Sequence, residues 1–132
     1  LYDWPVISVD VAATAIDLAG KSKPKELDGT NLIPYLTGEK EGDPHDALFW
    51  RFWDQSAVRM GDWKFLKAGK REFLFDLASD DHEKESLIEQ YPDKAASRKK
   101  RREKWGAELK EPGIPDGEIK REKNWYDHYF GK

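Results

Sequence analysis

The sequence predicts a small α+β fold, in which a four-stranded antiparallel sheet packs against a C-terminal helix and a further helix precedes the sheet. Three observations indicate this fold. Residues 6–20 place apolar side chains at helical spacing, residues 47–77 contain four short runs of aromatic and β-branched residues, and residues 94–109 return to a helical pattern. Short turn signals separate the four runs, which favours a meander of antiparallel strands.

The first element is a helix predicted over about residues 8–19. Val9, Ala13 and Ile16 lie on one face at helical spacing, and Gly20 supplies a left-handed stop. The opposite face carries few charges, so we expect this helix to be buried on more than one side. A lysine-rich linker and a short helical turn then lead to the sheet.

The strands of the sheet are predicted from alternation and from the turns between them. Turn signals fall at Asp54-Gln55, Gly61-Asp62 and Gly69-Lys70. One face of the sheet is expected to carry Phe49, Val58, Phe65 and Phe73 or their register neighbours.

The last predicted element is the helix over residues 94–109, with Trp105 and Leu109 one turn apart on one face. Pro and Gly residues follow it. We therefore divide the chain into residues 1–40 with the first helix, residues 41–112 with the sheet and last helix, and an irregular tail over residues 113–132.

The composition excludes several classes of protein. Aromatic residues make up 13% of the 132-residue chain, which is more aromatic surface than a disordered protein typically carries. It has 37% charged residues and no apolar run near the roughly 20 residues of a membrane span, so no membrane partner is predicted. A net charge of −3 gives no reason to predict a nucleic-acid partner. The absence of cysteine excludes a disulfide or a cysteine nucleophile within the chain.

The polar motifs predict neither a catalytic nor a metal site. His45, His82 and His128 are far apart and form no HExxH pattern, so each is interpreted as a surface or supporting residue. The cluster at residues 80–83 offers carboxylate oxygens that suit a cation, but a solvated turn is the favoured interpretation.

The basic run at residues 98–102 has two interpretations. A run of Lys and Arg is typical of nucleic-acid or polyanion binding. A helix spreads these charges around its circumference, however, and the preceding acidic segment supplies counter-charge. A solvated helix is therefore favoured, and an interaction module that binds a polyanion through residues 98–104 remains the alternative function.

The end of the first strand provides the best candidates for ligand binding. Indole rings stack on sugar rings, and guanidinium groups bind sulfate, phosphate or carboxylate through two hydrogen bonds. Sheet packing with Arg lying over the aromatic rings is the competing interpretation. The candidate substrate-binding residues are Trp50, Arg51, Trp53, Asp54 and Arg59.

Four stretches of the chain follow, in order, the sequence pattern of one enzyme family. The first, VISVDVAATAIDLAG, matches a helix motif through Asp10, Thr14 and Leu18-Ala19-Gly20, with Ala13 where the motif usually has Pro. The residues that match in the second stretch, LDGTNLIPYLTGE, are Asp28, Gly29, Leu32, Pro34, Leu36 and Gly38.

The other two stretches lie in the predicted sheet and just after it. The matching residues of ALFWRFW and AVRMGDWKFL are Ala57, Val58, Arg59, Gly61, Asp62, Trp63 and Lys64. Those of FLFDLASDDHEKESL are Asp76, Leu77, Asp80, Glu83 and Leu87, while Phe75, Asp81 and Ser86 replace Tyr, Pro and Asn. Over about residues 6–90 the chain thus resembles the C-terminal part of the type I, formylglycine-dependent sulfatases.

The resemblance implies that the catalytic machinery lies outside this chain. In the family, a formylglycine in a C/S-x-P-S/A-R motif and a calcium ion held by Asp and Asn precede the helix that opens this chain. No residue here matches those motifs. The formylglycine and the calcium would belong to the parent enzyme, and the missing N-terminal sulfatase domain would be the partner of this chain.

The resemblance also assigns roles to the segments. Residues 1–40 would end the large α/β domain, and residues 41–112 would form a subdomain that closes one side of the active-site cleft and shapes substrate choice. The implied substrate is a sulfate ester, here of a carbohydrate, and the implied location is periplasmic or secreted. Trp63 and Lys64 would be structural residues.

Overall fold

The computed structural model describes residues 2–52 and 55–110. The helices and strands are α1 (Val9–Leu18), α2 (Ile33–Leu36), β1 (Leu48–Phe52), β2 (Gln55–Met60), β3 (Trp63–Ala68), β4 (Arg71–Asp76) and α3 (Pro92–Ala107). The strands form one sheet in the order β1-β2-β3-β4, and the β2–β3 and β3–β4 pairs are antiparallel. The predicted α+β fold is confirmed. The predicted tail at residues 113–132 lies outside the described residues.

The chain divides into two compact units, Leu1–Leu48 and Phe49–Lys132. The first unit is organised around a buried carboxylate. Asp10, in the first turn of α1, is fully buried and accepts hydrogen bonds from the backbone N–H groups of Ile7 at 2.9 Å and Thr30 at 2.8 Å. His45 Nε2 lies 2.9 Å from the same carboxylate. This one side chain therefore ties three separate segments to the start of α1.

Close backbone packing holds the following loop against the same helix. A Cβ atom on Gly29 would lie 2.1 Å from the carbonyl oxygen of Val9, so only glycine fits there. Further along α1, Thr14 Oγ1 accepts a hydrogen bond from Leu32 N–H at 3.0 Å. The residues that match in the first two stretches of the family pattern, including Asp10, Thr14 and Gly29, thus hold this loop on α1.

Helix α1 buries little apolar surface within this chain. Ala13 is buried, but Val9, Val11 and Leu18 are 40%, 69% and 68% exposed. The expectation that the helix is buried on more than one side is not met by the residues that the structure describes. Among the described residues, several apolar side chains of α1 are thus left exposed.

The core of the second unit runs across the sheet. Val58 lies opposite Phe65, and Phe65 lies opposite Leu74 on the next strand. All three side chains are buried. The predicted positions of Val58 and Phe65 are confirmed, and on β4 the register places Leu74, the neighbour of Phe73, in line with them.

Two tight turns set this register. Met60 pairs with Trp63 and Ala68 pairs with Arg71, so each turn has two residues. The first of the two is a glycine with positive φ, Gly61 at 59° and Gly69 at 58°. Glycine in this position is typical of type II′ hairpin turns, whose twist matches that of the strands.

Helix α3 packs on β2 and β3 and covers one face of the sheet. Trp105 stacks on Phe49 of β1, with ring centroids 5.0 Å apart. Nearer the start of the helix, Lys94 lies 3.5 Å from the centre of the Trp63 ring. The helix ends at Ala107, so Leu109 lies beyond it and not on a helical face as predicted.

Within the ranges described, no helix combines the length and apolar character needed to cross a membrane.

Candidate functional site

The two faces of the sheet have different surroundings. Successive side chains along a strand point to opposite faces. Ser56 contacts Arg102 of α3, so the neighbouring Ala57 and Arg59 point to the other face. That face carries a concavity of about 540 Å³, which we call the sheet groove. Its lining residues are Trp50, Ala57, Arg59, Lys64, Leu66, Leu77, Asp81 and Glu83.

An aromatic ring and a guanidinium group lie in the sheet groove. Trp50 on β1 is 41% exposed. Arg59 on β2 donates from Nε to the carbonyl oxygen of Gly61 at 2.9 Å, and its Nη2 lies 4.0 Å from an oxygen of Asp62. A guanidinium has five N–H donors, so these contacts leave it capable of binding an anion. The apolar residues of the floor include Ala57 and Leu66.

An ion pair forms another part of the sheet groove. Lys64 Nζ lies 2.6 Å from Glu83 Oε1, and both side chains are partly exposed. Glu83 has a φ of 54°, a left-handed backbone conformation that is uncommon outside glycine. The pair links β3 to the loop after β4. This contact favours the structural role that the resemblance implied for Lys64.

The structure separates the predicted site residues. Trp50 and Arg59 both line the sheet groove. Arg51 instead donates from Nη2 to the carbonyl oxygen of Lys110, just beyond α3. Arg51 therefore belongs to the face that α3 covers. The remaining two candidates, Trp53 and Asp54, lie outside the described residues.

The acidic cluster at residues 80–83 forms contacts within the protein. Asp80 Oδ2 accepts the N–H of Glu85 at 2.9 Å, Asp81 contacts His82, and Glu83 pairs with Lys64. In the part of the chain that the structure describes, no three His, Cys, Asp or Glu side chains converge as a metal ion requires. The residues present there do not fit the calcium ion that the resemblance attributes to the parent enzyme.

Several side chains of the basic run have partners on the sheet. Arg98 donates to the carbonyl oxygen of Met60 at 3.4 Å, and burial lowers the pKa of its guanidinium. Lys99 pairs with Glu72 at 2.8 Å. These contacts favour a helix that is partly neutralised by its own unit over a dedicated polyanion surface.

Sequence reasoning missed the pairing of Asp10 with His45. Burial raises the pKa of the Asp10 carboxyl, whereas hydrogen bonds from Ile7, Thr30 and His45 lower it. Together the hydrogen bonds outweigh burial, so the pKa is lower than its ordinary value. The residues are 35 positions apart, so local spacing gave no signal of the contact. The match of Asp10 to the family's helix motif was the available signal.

Comparison with known proteins gives a consistent set of relatives, although no protein-family model matches the chain. It is 43% identical over 51 residues to the uncharacterized sulfatase YdeN of Escherichia coli K12, which covers 37% of this chain and 9% of that protein. It is 29% identical over 104 residues to arylsulfatase K of Danio rerio, which covers 67% of this chain and 20% of that protein. The chain thus spans a small part of the length of these curated relatives.

Solved structures share the fold. Ps i-CgsB matches with a TM-score of 0.74 and 26% identity over 85% of this chain and 26% of that one. Its complex with k-i-k-neocarrahexaose matches with a TM-score of 0.75 and 24% identity over 98% of this chain and 31% of that one. BT4656, in complex with its substrate D-glucosamine-2-N,6-O-disulfate, matches with a TM-score of 0.62 and 21% identity. The match covers 72% of this chain and 22% of that one. By sequence, the chain is therefore related to the sulfatases, as its four matching stretches predicted, and it shares its fold with these solved structures.

Proposed function

We propose that this chain is the C-terminal part of a sulfatase that hydrolyses sulfate esters of a carbohydrate, and that the sheet groove forms one wall of its substrate cleft. The sulfatase relatives support the reaction class. The observation that carries the role of the groove is the presence of Trp50 and Arg59 in one concavity.

The chemistry of the sheet groove suits a sulfated sugar. An exposed indole offers a flat apolar surface to a sugar ring, and a guanidinium can bind a sulfate group through two parallel hydrogen bonds. A volume of about 540 Å³ lies in the usual range for small-molecule sites. Two of the fold relatives were solved with saccharides bound, which supports a carbohydrate substrate. Trp53 and Asp54 follow Trp50 closely in sequence and stay part of this proposal.

The proposal assigns the bond-breaking chemistry to the rest of the parent enzyme. Formylglycine and calcium would be supplied there, in a periplasmic or secreted protein, and this chain alone would be inactive. A partner surface is available on the first unit, where large apolar side chains are exposed. These residues are Trp4, Val6, Val9, Val11, Leu18 and Leu36. We propose that this surface packs against the remaining sulfatase domain, because patches of this kind are seldom left in water.

A non-enzymatic module that binds a polyanion through residues 98–104 is less well supported. Arg98, Lys99 and Arg102 all have partners on the sheet. The two relatives found by sequence are named as sulfatases, and they give no support to a purely structural module.

The proposal is tested by changing Trp50→Ala in the enzyme that carries this chain. We expect kcat/KM for a sulfated saccharide to fall about ten-fold, which corresponds to about 1.4 kcal/mol of transition-state binding. A minimal aryl sulfate lacks the sugar ring that the indole would contact, so its kcat/KM should change less than two-fold. Trp50→Phe is the matched control, because it keeps an aromatic face and should retain most of the activity on the saccharide.

Equal losses on both substrates, together with a lower melting temperature, would show that Trp50 is a packing residue. The 132-residue chain without the rest of the enzyme serves as a second control. Hydrolysis of an aryl sulfate by that chain would contradict the assignment of the chemistry to another domain.

A further inference from the structure

The face of the sheet that α3 covers carries a second concavity, of about 370 Å³, at the C-terminal end of the helix. We call it the basic pocket. The residues of this pocket that matter here are Arg51, Ser56, Lys67, Arg102, Glu103 and Trp105. It is separate from the sheet groove, because Trp50 and Arg51 are successive residues of β1 and point to opposite faces.

Pairing of the strands and helix brings three cations together in this pocket. Ser56 lies directly opposite Lys67 in the β2–β3 register. Arg102 of α3 donates from Nη1 to Ser56 Oγ at 2.9 Å, which places its guanidinium over the same pair. Arg51 approaches from β1 and donates to the carbonyl oxygen of Lys110. The cluster is therefore built from three separate elements of the fold.

The described contacts of these cations are mostly with neutral oxygens. Lys67 Nζ donates to the carbonyl oxygen of Gly69 at 2.8 Å. Among the described residues that line the pocket, the acidic side chain is Glu103, which lies 3.4 Å from Arg102 and is 53% exposed. Glu72, opposite Lys67 in the register, pairs with Lys99 instead. Positive charge thus exceeds negative charge among the lining residues that the structure describes.

Arg102 also has a hydrogen-bond donor that its described contacts do not use. Its side chain is only 14% exposed, and its Nε has no hydrogen-bond partner among the residues that the structure describes. Like charges that share a partly buried site repel each other, and a bound oxyanion would relieve that repulsion. Guanidinium and ammonium groups together provide the donors that a sulfate or carboxylate group accepts.

We propose that the basic pocket binds a sulfate group carried on a saccharide, as a second anionic subsite on the face opposite the sheet groove. Trp105 lines the pocket beside the three cations and gives an apolar surface for the sugar ring that carries the anion. The net charge of −3 on the whole chain favours a local anion site over binding to the backbone of a nucleic acid.

The test is a calorimetric titration of the full chain with a sulfated oligosaccharide, its desulfated counterpart, inorganic sulfate and an oligonucleotide of equal charge. Lys67→Gln and Arg51→Gln should each weaken binding of the sulfated saccharide at least ten-fold. Lys70→Gln is the matched control, because Lys70 is exposed in the adjacent turn and does not line the pocket. It should change the Kd less than two-fold.

One further variant and one further measurement distinguish loss of the binding site from loss of folding. Arg51→Lys keeps the charge but loses the planar fork, so it should bind with intermediate affinity. Circular dichroism of each variant should match that of the parent chain. Equal weakening by Lys67→Gln and Lys70→Gln, or unchanged binding in both Lys67→Gln and Arg51→Gln, would overturn the pocket. If inorganic sulfate bound as tightly as the sulfated oligosaccharide, or if the oligonucleotide bound more tightly, the ligand of the pocket would not be a sulfated saccharide.

The choice of a sulfated saccharide as the ligand rests on the proposed function, but the basic pocket is tested separately from it. Loss of activity in Trp50→Ala concerns the sheet groove, whereas the titration concerns Arg51 and Lys67 on the other face. Failure of one therefore leaves the other standing.

Discussion

Residues 49–110 bury apolar side chains from three neighbouring strands, whereas residues 2–48 bury a carboxylate and leave several large apolar side chains exposed. In the second unit, Val58, Phe65 and Leu74 are 0%, 1% and 0% exposed. In the first unit, Asp10 is 0% exposed while Val11 and Leu18 remain more than two-thirds exposed. The difference shows that one unit supplies its own core and the other presents an apolar surface.

The two kinds of organisation have different energetic consequences. Burial of a large apolar side chain contributes about 1.5–3 kcal/mol, so the sheet unit gains most of its stability from its own residues. A buried carboxylate contributes chiefly through the groups it pairs with, because unpaired it would be costly. The first unit is thus fixed in shape by Asp10 but gains little from burial of apolar surface.

The largest effect expected in the chain is that of Phe65→Ala. Phe65 is 1% exposed and lies between Val58 and Leu74 in the register, so the variant leaves a cavity in the centre of the sheet. We expect a loss of about 3–5 kcal/mol in the free energy of unfolding. Urea denaturation and amide hydrogen exchange would measure it. Protection should fall in β2, β3 and β4.

The control for this variant is Lys70→Ala, at an exposed position of the same sheet. It should change the free energy of unfolding by less than about 0.5 kcal/mol. If Phe65→Ala cost no more than this control, the sheet unit would not have the independent core that the comparison assigns to it.

The matching change in the first unit is Asp10→Asn, with a smaller expected effect. The side chain keeps one oxygen acceptor but places an NH2 group against donors that include Ile7 N–H and Thr30 N–H. We expect a loss of about 1–3 kcal/mol, measured as reduced exchange protection in α1. Protection in β2 and β3 should be retained, which distinguishes this variant from Phe65→Ala.

The same side chain gives a pH dependence. The pKa of Asp10 is lower in the folded chain than the ordinary value of 3.8 for an aspartate side chain. Its ionised form therefore stabilises the folded state above the unfolded pKa, and that contribution is lost as the pH falls through the lower, folded pKa. The difference in the free energy of unfolding between the unmodified chain and Asp10→Asn should have its full value at pH 7 and should shrink below about pH 4. A difference that stays constant down to pH 2 would contradict this role.

Most of the fold could be predicted because its determinants are local. Gly61 and Gly69 specify two-residue turns, and the runs between them alternate as strands do. The exact register was not predictable from alternation alone, since Phe73 and Leu74 are both apolar and only the pairing places Leu74 opposite Phe65. The prediction placed α3 two residues too late at both ends, at 94–109 instead of Pro92–Ala107, because Leu109 continues the helical spacing beyond Ala107.

The candidate site could be predicted only in part. Trp50, Arg51 and Arg59 were recognised by residue type, but their separation onto two faces follows from the side-chain alternation along β1 and β2 and from the position of α3. Lys67 was not singled out, and Arg102 was considered only as part of the basic run at residues 98–104. Their role depends on contacts between a strand and a helix that are far apart in sequence, and no local pattern encodes such contacts.

The smallest effect within the chain is expected for Val11→Ser, and it tests the exposed side of the comparison. Val11 is 69% exposed on α1, and Val and Ser have similar helix propensities. In the 132-residue chain the variant should change the protection of α1 by less than about 0.5 kcal/mol.

The same substitution should have a larger effect in the parent enzyme, because the proposed packing of α1 against the remaining sulfatase domain would bury Val11. There we expect a loss of about 1–2 kcal/mol, which is the transfer free energy of a valine side chain that is no longer buried. Lys21→Ser, at an exposed position just beyond α1, is the control and should be neutral in both proteins. If Val11→Ser were neutral in the parent enzyme as well, the apolar surface of the first unit would not be an interface. If it destabilised the isolated chain equally, α1 would already be buried there, and the contrast between the two units would be wrong.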